Sequence, residues 1–225
     1  MKLKLIIKTI CFSAAVITFT HFVSAEGVPV QGRVFLGTTP VSPDDLNSDL
    51  ESEGLKELDA YSHYGVEILY PVTGLLEVGL RYTKHYNLLD EKPADSATEY
   101  QAIIEQDSVM AVLRVPFFKS KFIRGDVFAG FGGLNTTYSM KTAAQDGELS
   151  NKDSSGWFAG TTSSYGASVA IGYNMVYFVM EAGLENNKVE DFKKKGTIND
   201  IDSLDLSGGY FTVGILFDGV KATKK

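Results

Sequence analysis

Seven charged side chains stand singly among apolar and small residues: Arg33, Glu67, Glu77, Arg81, Arg114, Asp126 and Glu181. Charges set this way either line a route for ions or protons, or pair with one another. An unpaired charge in a low-dielectric interior is costly, so opposite signs meeting at one depth imply a paired network. A network that fills its space fixes register and plugs; a gated pore or proton path is the other reading. The plug is the expectation. His63 and His85 add two imidazoles that could hold a metal or act as a general base. No cysteine or matched carboxylate stands at convincing ligand spacing beside them, so rim histidines in contact with water are expected.

Other motifs carry less. Ser62 adjoins His63, but in an extended chain the two point to opposite faces, and a nucleophile needs its base within hydrogen-bond reach. Ser139, Ser163 and Ser164 have no evident partner. Gly130, Gly132 and Gly133 lack the following helix that a phosphate cradle needs, and close packing in a strand accounts for them better. Lys193, Lys194 and Lys195 could touch lipopolysaccharide phosphates, although a solvated loop tip is the usual meaning of such a run. Asp44, Asp45, Asp49, Glu51 and Glu53 lack the spacing of a calcium loop. No catalytic residue, metal or cofactor is therefore expected.

The elements that position the charges are strands. Tyr64, Val66, Ile68 and Tyr70 alternate with His63, Gly65 and Glu67, the period of two that marks a strand with unlike faces. The alternation returns over Leu76–Tyr82, Val109–Val115, Val127–Phe131, Tyr165–Tyr173, Val176–Leu184 and Phe211–Phe217. With Arg33–Gly37 as an opening strand there are eight segments, and bacterial single-chain membrane barrels use even numbers.

A soluble sandwich shares this alternation but buries its apolar face. Here the second face is rich in Gly and Ser with isolated charges, a filling suited to a narrow lumen, so the apolar face must meet lipid. Aromatics bound that face: Tyr64, Tyr70, Tyr82, Tyr165, Tyr173, Phe211 and Phe217. Separations of six to eight residues, at roughly 3.3 Å each and a tilt near 40°, span most of the ~25 Å apolar band between two aromatic girdles. Short connections at Pro71–Gly74, Lys119–Lys121 and Asn174–Met175 alternate with long polar ones at about 40–58, 88–100, 142–156 and 188–204. All long loops then emerge on one side, outside the cell in such barrels. Reading parity from each short turn turns the seven charges inward at similar depth.

This pattern, from about residue 31 to Phe217, resembles the small outer-membrane barrels of the OmpA and OmpX type. The resemblance rests on strand pattern, loop alternation and a final strand ending in Phe217, and no binding or catalytic motif supports it. Eight residues follow Phe217, including Lys221, Lys224 and Lys225, so the terminal aromatic is not the last residue. The resemblance implies outer-membrane lipid, lipopolysaccharide and the assembly machinery as partners, with an extracellular ligand at the loops.

The start of the chain agrees. Lys2, Lys4 and Lys8, an apolar stretch from Ile10 to Val23 and the small exit Val23-Ser24-Ala25 read as a secretory signal over 1–25, leaving 26–225 as the barrel. Three of 21 basic and none of 28 acidic residues leave with it, giving a net charge of −10, too acidic for a nucleic-acid partner. The single cysteine, Cys11, leaves too. The expectation is a monomer in the outer membrane with a structural or adhesin-like role through loops 40–58 and 142–156. A narrow channel is the alternative, and a lipid-modifying enzyme the third.

Overall fold

The computed structural model describes residues 30–91, 100–152 and 158–219; the expected signal segment lies outside them. The strands are β1 (Gln31–Pro40), β2 (Ala60–Thr73), β3 (Leu76–Glu91), β4 (Tyr100–Lys119), β5 (Ile123–Lys141), β6 (Asp146–Ser150), β7 (Gly160–Tyr173), β8 (Val176–Asn186), β9 (Lys188–Glu190), β10 (Lys193–Thr197), β11 (Ser203–Asp205) and β12 (Gly208–Asp218), with one helix, α1 (Asp44–Ser52). Strands β1, β2, β3, β4, β5, β7, β8 and β12 pair antiparallel in a ring, closed by β1 with β12 and by β5 with β7. This is an antiparallel up-and-down transmembrane β-barrel of eight strands.

Its outer surface is apolar. Leu36, Ile68, Leu80, Leu113, Val127, Val169, Phe178 and Ile215 all stand exposed on the wall. Water would make this belt costly; lipid makes it neutral. Tyr64, Tyr70, Tyr82, Tyr165, Tyr173 and Phe211 are exposed on the same face, while Phe217 is half-buried. Inside, successive strand pairs bring the lumen charges together: Arg33 lies opposite Glu67, Glu67 opposite Arg81, and Glu77 opposite Arg114.

The three short turns close as expected, with one shift. β2 runs to Thr73 through a bulge after Pro71, so the first turn is Gly74–Leu75 rather than Pro71–Gly74. Asn174 takes a left-handed φ of 59° in the two-residue turn before β8, a conformation Asn tolerates well.

The long-loop end departs from expectation. Instead of solvated polar loops there is a packed cap. β3 continues to Glu91 and β4 begins at Tyr100, so both ends of the loop expected over 88–100 are strand, and residues 92–99 lie outside the described residues. Strands of 20 residues rise roughly 50 Å at such a tilt, against roughly 28 Å for 11, so β3, β4 and β5 stand well above the lipid band. β6 and β10, from the expected loops 142–156 and 188–204, extend this wall in the order β10-β6-β5-β4-β3.

Helix α1 and residues 187–207 fold over the mouth against that wall. Their apolar side chains form the largest core of the molecule, including Leu46, Leu50, Leu58, Ile104, Tyr138, Met140, Leu149, Ile198 and Leu204. Leu46 and Leu50 are one helical turn apart and share the buried face. Asp44 and Asp45 favour the positive end of the helix dipole, and Gly54, at φ +76°, ends it with Leu55 N–H donating to Leu50 O at 2.9 Å.

Candidate functional site

Two polar layers fill the lumen. In the lower one Arg114 is central. Its Nε donates to Glu67 Oε1 at 2.5 Å and its Nη2 to Glu67 Oε2 at 3.0 Å, a bidentate pair. The same guanidinium reaches Asp126 Oδ1 at 2.5 Å and Glu181 Oε2 at 2.6 Å. Arg81 donates to Glu67 at 2.6 Å and to Glu181 at 2.8 Å, and Arg33 joins Glu181 at 2.5 Å and Ser168 at 3.2 Å. The Phe128 ring packs beneath both Arg114 and Arg81, with centroids 4.4 and 5.0 Å from their guanidinium carbons.

All seven residues expected in the lumen are buried there, and six meet in this one cluster. Glu77 sits closer to the short turns, where it pairs with Arg124 and accepts from Gln31 at 3.1 Å. Sequence reasoning passed over Arg124 and Gln31. Arg124 also bonds Asp126 at 3.2 Å and Gln31 at 2.8 Å, linking the two groups. With Arg124 included, four arginines face four carboxylates. Charge is thus matched one for one, as buried charge requires, with Arg33 Nε left without a hydrogen-bond partner.

The upper layer holds the histidines, and here expectation fails twice. His63 and His85 are only 4 and 3% exposed, enclosed by side chains of the barrel that include Phe35, Thr39, Tyr61, Glu185 and Tyr210. They also have a carboxylate: Glu185 of β8 approaches from across the barrel, 3.4 Å from His85 Nε2. Thr39 bridges the set, donating to Glu185 at 2.9 Å and lying 3.3 Å from His63 Nδ1. Ser62 points outward and His63 inward, so they do not cooperate. Among the described residues no group of His, Cys, Asp and Glu is arranged to hold a metal ion. Between the layers a cavity of ≈ 10 Å³, lined by residues including His63, Arg81, Glu185 and Tyr210, has room for about one water.

The cap is knit by polar contacts as well as by its core. Asp49 on α1 accepts from Tyr138 of the wall at 3.0 Å, Gln145 of the next loop at 3.1 Å and Asn199 of the last at 2.6 Å. Burial, then the Asp49 carboxylate, pushes the Tyr138 phenol well above its ordinary pKa. Asn47 grips Leu58 twice, through its carbonyl at 3.2 Å and its N–H at 2.8 Å, closing the first loop on itself. Asp49, one of the acidic residues weighed as cation ligands, thus joins three loops. Lys193, Lys194 and Lys195 are exposed on β10, where Lys194 pairs with Asp200 at 3.1 Å.

No family model and no curated protein matches the sequence. Among solved structures, the chain is similar to the outer membrane protein OprG from Pseudomonas aeruginosa, at 12% identity and TM-score 0.49, covering 87% of this chain and 97% of that one. The N-terminal β-barrel domain of Pseudomonas aeruginosa OprF matches at 14% identity and TM-score 0.39, over 85% and 100%. Ail, the attachment invasion locus protein of Yersinia pestis, in complex with a heparin analogue, matches at 12% identity and TM-score 0.48, over 84% and 98%.

Proposed function

We propose that this chain is an outer-membrane barrel whose lumen is a structural plug and whose working surface is the extracellular cap. The observation that carries the reading is the charge balance of the lumen. Four arginines and four carboxylates balance in charge and are tied to one another by ion pairs and hydrogen bonds across the lumen, and the cavity above them measures only ≈ 10 Å³. A conducting route would need water along its length, and the apolar core of the cap stands over the mouth.

A wall of three long strands, bearing a cap with its own core, costs far more ordered chain than a plug requires. A structural or adhesin-like interaction role, exerted through the α1 loop, β6 and β10, accounts for that outlay. The barrel then serves as a monomeric anchor among outer-membrane lipid and lipopolysaccharide. A serine nucleophile needs its base within reach, and Ser62 stands exposed on the outer wall while His63 is turned into the lumen.

The test is surface binding by cells displaying the full chain, beside a variant in which residues 142–150 are replaced by a short Gly-Ser link. Binding to matrix or host-cell surfaces that falls about tenfold or more in the variant supports the reading. Binding that survives in the variant, or full-length chain that binds nothing, overturns the adhesin-like role.

A further inference from the structure

The histidine layer is the joint between barrel and cap. His63 and His85 are cross-strand partners on β2 and β3, with ring centroids 5.2 Å apart. Both ring nitrogens of His85 are buried with no hydrogen-bond partner. Thr39 and Phe35 of β1, Tyr61 of β2, Arg81 of β3, Glu185 of β8 and Tyr210 of β12 face the pair; Met110 of β4 and Ser164 of β7 stand near, and Glu181 of β8 lies one layer below, bonded to Arg81.

The charges in this layer do not balance as those below it do. Arg81 is committed to Glu67 and Glu181. That leaves Glu185 as the carboxylate facing two imidazoles. One protonated imidazole matches it. A second proton places an excess positive charge beside the first imidazole and Arg81, in a space with room for about one water.

The same residues hold the cap. The Tyr61 hydroxyl lies 2.7 Å from Glu185 Oε1 and 2.8 Å from the Leu206 carbonyl, so its single hydrogen is shared between the layer and the cap. Asn187 donates to Tyr61 at 3.4 Å and accepts from Thr162 at 2.6 Å, while Leu206 N–H donates to Asn187 O at 3.1 Å. A shift of Glu185 or Tyr61 therefore acts directly on the contacts that hold residues 187–207.

We infer that His63 and His85 form an acid-operated latch, closed while no more than one imidazole is charged and released when both are, so that acid lifts the cap segment 187–207 from the barrel mouth. The inference concerns when the cap opens and holds whatever the cap binds.

The experiment is hydrogen exchange of the full refolded chain in lipid vesicles, between about pH 7.5 and about pH 4, read as protection factors so that intrinsic rates cancel. The expected result is a fall of about tenfold or more at the Leu206 amide and across 187–207, with Val179 in the barrel wall unchanged. His63→Gln and His85→Gln, made separately, keep their protection at acid pH; if one fails to fold, the other decides. Protection that does not change in the native chain overturns the latch. So does an equal acid loss in a folded variant, since acid would then act elsewhere, for instance on Asp49.

Discussion

Arg114 and Glu67 hold each other by two hydrogen bonds, at 2.5 and 3.0 Å, from strands that do not pair with each other. The contact crosses the lumen, with β3 standing between β2 and β4 in the wall. It therefore ties three successive strands rather than one hairpin, and through Arg114 and Glu181 of β8 it reaches the far wall, with Asp126 and Arg81 gathered around it.

Arg114→Met should destabilise the barrel by about 3–5 kcal/mol, because Glu67, Asp126 and Glu181 would stay buried with one cation fewer. Urea unfolding of the refolded protein in vesicles measures this. A change below about 1 kcal/mol would show that the network is open to water.

Register has its own test. Val169 is exposed on the lipid face and its neighbour Ser168 is buried, bonded to Asp126 at 2.9 Å. Val169→Arg should cost about 2–4 kcal/mol, as a basic residue does near the middle of the bilayer. A neutral outcome would place this face against water.

Much of this was legible from the alternation. The eight barrel strands and the inward side of each followed from a period of two, since one residue of slippage would turn a whole strand inside out. Arg124 lies before the Val127–Phe131 alternation that marks its strand, although counting two residues back from Asp126 at the same parity reaches it. Glu185 shares the parity of Glu181 and so was readable as inward. Its meeting with His85 depends on barrel closure, which local pattern does not specify.

The cap was the larger miss. Leu46 and Leu50 sit one turn apart in an acidic stretch, a helical signal that Asp and Ser on either side obscured. Their partners Tyr138, Leu149 and Ile198 lie about 90 to 150 residues away in sequence, and only the fold brings them together. The upward run of β3 and β4 was equally faint, because Lys84, Glu105 and Asp107 make its outer face polar.

The cap core predicts a separable stability. Leu50→Ala should cost about 2–5 kcal/mol, drawn from the cap alone. Limited proteolysis would then cut within 41–59 or 187–207 at least about tenfold faster, while the membrane-embedded strands stay protected. Equal loss of both would mean that cap and barrel unfold as one unit.

Alkali should loosen the same region. Burial and the Asp49 carboxylate hold the Tyr138 phenol protonated in the folded cap, while the unfolded chain releases that proton near its ordinary pKa of about 10. Above that pH the folded state binds more protons than the unfolded one, so cap stability falls as pH rises. Below it this contribution is fully present. Tyr138→Phe should flatten the dependence above about pH 10, and an unchanged slope in proteolysis against pH would rule the tyrosine out.

The plugged lumen is tested most directly by bilayer conductance of the refolded full chain, beside a Glu67→Gln, Arg81→Gln double variant. The structure predicts silence from the native protein at neutral pH, because the network and the cap leave no continuous water. Steady conductance that the double variant alters would contradict the plug and make the lumen, rather than the cap, the working part of the molecule.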